Sequence, residues 1–106
     1  MPKYLIQASY TAEGVRGLLK EGAAARRKAI QQAVKSAGGK VESVYWAFGD
    51  VDTFLVIDMP DAISAAGLAL TVASSGAVQL STTPLLSAEE IDEARKKKVD
   101  YRPPAD

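Results

Sequence analysis

The chain has no cysteine and no histidine. The first absence excludes disulfides, thiolate nucleophiles and iron–sulfur ligation. The second removes the His relay of hydrolases and, with the first, the usual zinc and haem ligand sets. Acid–base chemistry would fall to Asp, Glu, Tyr or Lys, each needing a large pKa shift at neutral pH. An excess of charge of one sign is also lacking. Thirteen basic side chains balance 13 acidic ones, so no global field draws in nucleic acid or an anionic membrane, and neither is an expected partner. No apolar run approaches the length of a membrane span, and residues 65–73, very apolar, have the length of a buried helix. No apolar secretory core precedes the strand pattern that starts at Tyr4, so a cytoplasmic location is expected. Dinucleotide fingerprints, phosphate loops and nucleophile elbows are absent. No cofactor and no metal are expected.

What is present is an ordinary globular composition, 47% apolar and 25% charged over 106 residues. Residues 1–100 are expected to form one domain and residues 101–106, with Pro103-Pro104, a tail. Tyr4 to Tyr10 alternates as a first strand. Thr11 can cap a helix whose first turn holds Glu13. Gly22 predicts a kink or break in that helix, and Gly38-Gly39 ends it with one residue left-handed. Val41 to Phe48 and Thr53 to Met59 read as a hairpin about Gly49-Asp50, both of which tolerate the positive φ of a tight turn. Asp61 opens a second helix from Ala62 to Ala73, whose only polar side chains are Ser64 and Thr71, so cover on more than one side is expected. Ala77 to Thr83 is a last strand closed by Pro84. Ser87-Ala88-Glu89-Glu90 matches a capping box for a further helix to about Lys97. This order predicts an α+β, ferredoxin-like βαββαβ fold with a four-stranded antiparallel sheet and an extra C-terminal helix.

Such a sheet carries its helices on one face and leaves the other open. Alternation places Gln7 and Ser9 opposite in sense to Ile6 and Ala8, and Gln79, Ser81 and Thr83 opposite to Val78 and Leu80. Leu55, Ile57 and Met59 oppose Phe54, Val56 and Asp58. An open face bearing Phe54, Val56 and either Tyr45 or Trp46 is too apolar to stay wet, yet its amide and hydroxyl groups are too polar for a dry core. Two readings follow: a dimer interface with ordered waters, or a ligand cavity lined by Gln7, Ser9, Tyr45, Phe54, Gln79 and Ser81.

Other motifs resolve to local structure. Gly14-Val15-Arg16-Gly17 matches an RNA-clamping GxxG, but it falls in the first turns of a helix in a chain of zero net charge. Arg26, Arg27 and Lys28 point about 100° apart on a helix and cannot all meet one ligand. Asp50 and Asp52 suit a turn and Asp58 a strand end, so they are not read as metal ligands. Lys96-Lys97-Lys98 suits a helix C-terminus.

Taken together, Tyr4-Leu5, Gly14-Val15-x-Gly17-Leu18-Leu19, Arg26-Arg27, Gly38-Gly39-Lys40, Phe48-Gly49-Asp50, Asp58 to Asp61, Ser75-Gly76-Ala77-Val78 and Thr82-Thr83-Pro84-Leu85-Leu86 resemble the GYD domain family. The likeness runs from Pro2 to about Ala94. Val51 stands where the family's name-giving tyrosine is expected, and Ala23 replaces an expected glycine. If that tyrosine's hydroxyl does chemistry in relatives, this chain lacks it. The resemblance implies a dimeric α+β barrel and says little about activity, since the family is one of unknown function. The functional expectation is a homodimeric small-molecule-binding or stress-associated cytosolic protein. Alternatives are a cofactor-independent monooxygenase, isomerase or cyclase acting on an aromatic or polyketide-like compound, and a structural or regulatory assembly subunit. Tyr10, Tyr45, Asp52 and Arg26 are the candidates for chemistry.

Overall fold

Four strands form one antiparallel sheet in the computed structural model, which describes residues 1–105. The elements run β1 (Lys3–Tyr10), α1 (Ala12–Glu21), α2 (Ala23–Ser36), β2 (Lys40–Trp46), β3 (Thr53–Asp58), α3 (Ala62–Ser74), β4 (Val78–Leu85) and α4 (Ala88–Ala94). The sheet order is β2-β3-β1-β4 with every neighbouring pair antiparallel. This is the expected α+β arrangement with the first helix divided in two. Asp106, the last residue of the expected tail, lies outside the described residues.

Local chemistry sets most of the boundaries. Thr11 accepts the Gly14 N–H at the start of α1, and its hydroxyl and backbone N–H both donate to the Ala77 carbonyl, which fastens that helix end to the start of β4. Gly22, at φ 87° and ψ 162°, ends α1 and starts α2, so the expected break is real. Gly38, with φ +88°, takes the left-handed position after α2. Asp61 caps α3 by accepting the Ser64 N–H, and Ser87 and Glu90 close a capping box at α4.

The core lies between the sheet and its helices. Tyr4, Ile6, Leu55, Ile57 and Met59 meet Val34 of α2 and Ala65 of α3 there. Gly14 is buried where α1 comes closest to the β4 end, and a Cβ at this position would collide with the Ala77 carbonyl oxygen.

Four expectations need correction. The connection between β2 and β3 is no tight Gly49-Asp50 turn: it spans 47–52, and its positive φ, 56°, falls on Phe48. Asp52 sets this length, because its N–H donates to the Ala8 carbonyl and its carboxylate accepts the Tyr10 N–H, which binds the loop to β1. Pro84 does not close β4 but lies within it, opposite Tyr4, tolerated because β4 is an edge strand. Helix α4 stops at Ala94, short of Lys97. Finally, α3 is covered by its own chain on one side only, leaving Ile63 84% and Leu70 72% exposed.

Candidate functional site

The sheet's two faces differ in the way the alternation requires. Lys3↔Asp58, Leu5↔Val56 and Gln7↔Phe54 are opposed across β1 and β3, and Gln7↔Ser81 and Ser9↔Gln79 across β1 and β4. Directly opposed residues share a face. Tyr45 pairs with Phe54 across β2 and β3, so Gln7, Ser9, Tyr45, Phe54, Gln79 and Ser81 do occupy one face, the open one. Tyr45, not Trp46, is its aromatic from β2, and it is 71% exposed. A register shift between Val41 and Ser43 puts both Val41 and Val44 on the helix side. At one end of the open face, Lys3 bridges Asp58 at 2.9 Å and Glu42 at 3.3 Å. The Asp58 hydrogen bond, with Glu42 adding to it, holds the ammonium above its ordinary pKa of 10.5.

The concave volume is on the opposite side. A cavity of about 770 Å³ opens between the helix-facing side of the sheet and α1, α2 and α3. Ile6, Leu55 and Leu80 form its sheet side, and Ile30, Leu68 and Val72 line it from α2 and α3. Small residues create the space: Gly14, Gly17, Ala33 and Ala69 all border it. Glu21 and Arg26, on either side of the Gly22 break, also line it and pair at 3.4 Å.

The four candidates for chemistry separate accordingly. Tyr10 and Arg26 line the cavity, and Tyr45 stands on the other face. Asp52 is occupied structurally, holding the Tyr10 backbone N–H at 2.8 Å. Val51, at the expected tyrosine position, lies in the 47–52 loop and is half-buried. Two further residues matter that the sequence reading did not select. Trp46 donates from Nε1 to the Tyr10 hydroxyl at 3.0 Å. Thr53, 2% exposed, borders the cavity, and its enclosed hydroxyl has no hydrogen-bond partner among the described residues. Its signal was available, for alternation groups Thr53 with Leu55 and Ile57 and makes it a lone polar residue on an inward stripe.

No group of His, Cys, Asp or Glu among the described residues is placed to hold a metal ion. No helix among them is long and apolar enough to cross a membrane.

An antiparallel α+β domain with a cavity between its two layers is the class that fold and site define. Within it, the GYD domain family model matches residues 4–94, and the chain belongs to that family. No curated protein and no solved structure matches it.

Proposed function

We propose that the chain is a cytosolic homodimer that binds a small aromatic molecule between its sheet and its helices. The observation that carries this reading is the cavity of about 770 Å³, with its largely aliphatic walls and a border of opposed charges, Glu13, Lys20, Glu21 and Arg26. Ligand sites are built this way, in a range of about 300–1,000 Å³. The absence of phosphate-binding motifs and the balanced charge favour a neutral or weakly anionic ligand over a nucleotide.

The open face then serves assembly. Leu5, Phe54, Val56 and Tyr45 would lose apolar surface to a second copy at about 25 cal/mol per Å². Gln7, Ser9, Gln79 and Ser81 would hydrogen-bond across the contact or to trapped water. On this reading the six open-face residues belong to an interface, and the ligand lies behind the sheet. Any chemistry on the bound molecule would draw on Tyr10 and Arg26, which border it.

A thermal-shift screen of small aromatic compounds against wild type, Leu68→Trp and Gln79→Leu tests this. Ligand at 100 times its Kd should add about 2.7 kcal/mol to wild-type stability. Leu68→Trp, which intrudes into the cavity, should weaken the response, and Gln79→Leu, on the open face, should preserve it. The reading fails if no compound shifts the wild type, or if Leu68→Trp responds as the wild type does.

A further inference from the structure

The cavity has a polar end, and its hydrogen-bonding sense is set by the structure. Tyr10 and Thr53 both line it, from the adjacent strands β1 and β3. Thr53 is the register partner of Ala8 on one side and of Trp46 on the other, and Tyr10 lies two residues beyond Ala8. Tyr10, Thr53 and Trp46 therefore stand on one face of three neighbouring strands, at the same end of the sheet.

An indole N–H can only donate. The 3.0 Å bond from Trp46 Nε1 therefore makes the Tyr10 oxygen an acceptor on that side. The phenol's own proton finds no acceptor among the described residues and is left to donate. Thr53 Oγ1, shielded from water, is likewise unpaired. Enclosed in this way, the Thr53 hydroxyl is out of reach of a ligand, and the Tyr10 proton is the donor that a ligand in the cavity can meet.

The geometry points to a carbonyl-recognising subsite at this end of the cavity: the Tyr10 hydroxyl donates to the ketone oxygen of a planar aromatic ligand, and Trp46 is a positioning residue that fixes the donor sense of Tyr10. The inference rests on the cavity being the ligand site. It adds that the ligand presents an acceptor oxygen, as an aromatic ketone or quinone does, and that a hydrocarbon of the same shape is discriminated against.

The matched probes 1-tetralone and tetralin share one bicyclic skeleton and differ in a carbonyl in place of one ring CH2. Trp46 is the single tryptophan, so its one indole N–H resonance reports directly on the Tyr10 hydroxyl. In NMR titrations the wild type should bind 1-tetralone more tightly than tetralin, and only the ketone should move the indole resonance strongly. Tyr10→Phe should weaken 1-tetralone by about 3- to 10-fold, the worth of one hydrogen bond, and leave tetralin unchanged, while Thr53→Val, whose hydroxyl is enclosed, should bind both probes as the wild type does. The indole resonance of the wild type tests the subsite even if Tyr10→Phe perturbs folding. If Tyr10→Phe binds 1-tetralone as tightly as the wild type, or if the ketone moves the indole resonance no more than tetralin does, the subsite is wrong and the cavity still stands as a ligand site. If the wild type binds neither probe, the cavity reading falls and the subsite falls with it.

Discussion

The indole nitrogen of Trp46 lies 3.0 Å from the hydroxyl oxygen of Tyr10, joining β2 to the end of β1 across the intervening strand β3. Tyr10→Phe removes the acceptor and leaves a half-buried indole N–H without a protein partner. The expected cost is about 1 kcal/mol. A lower urea midpoint with an altered tryptophan emission maximum is the check; unchanged emission would mean that the bond does not form in solution.

At Gly22 the backbone sits at φ 87° and ψ 162°, a region reserved almost wholly for glycine. Gly22→Ala should therefore destabilise by about 1–3 kcal/mol, although alanine is the better helix former. Thermal denaturation followed by circular dichroism gives the sign directly.

Two glycines of α1 should respond in opposite directions. Gly14→Ala drives a methyl group into the Ala77 carbonyl and should cost about 1–3 kcal/mol. Gly17→Ala meets open space in the same helix and should gain about 0.5–1 kcal/mol. Urea melts of the pair read out both signs.

If the open face is an interface, Phe54→Asp should place a charge in its middle and yield monomers. Analytical ultracentrifugation at micromolar concentration should show a dimer for the wild type and a monomer for the variant. A wild type that stays monomeric overturns the assembly reading.

The Asp61 carboxylate is held below its ordinary pKa of 3.8, mainly by the Ser64 backbone N–H. A lowered folded-state pKa contributes stability above the unfolded value, and this is lost as pH falls through the folded one. Asp61→Asn keeps a capping acceptor that does not titrate. The stability difference between wild type and variant should be flat from pH 5 to 7 and shift against the wild type below about pH 3.8. A constant difference down to pH 2 would show that the cap carries no such linkage.

Much of the fold was legible because its signals are local. The Gly22 break, the Asp61 cap, the Ser87–Glu90 box and the alternation that groups Gln7 with Phe54 and Ser81 all depend on a few residues each. Non-local facts were not legible. The 47–52 loop is held by the Asp52 tie to Ala8 and Tyr10, some 42 residues away in sequence. Pro84 is tolerated inside β4 because no strand lies outside it, which only the sheet order reveals. The cavity escaped for a related reason. Periodicity tells which side of a strand Leu55 or Thr53 faces, but not how far α1 and α3 stand from it.

The two sheet borders carry different obstacles to further strand addition. Pro84 removes an N–H from β4, while β2 carries its register shift between Val41 and Ser43 beside the charged Lys40 and Glu42. Imino residues, irregular pairing and charge are the devices by which sheet proteins resist edge-to-edge growth. The chain can thus display Phe54, Val56 and Tyr45 on a bare face without also offering an unguarded template for fibrils. If copies of the chain meet, these borders favour contact through the broad open face, where an assembly can close, over edge-to-edge pairing, which propagates.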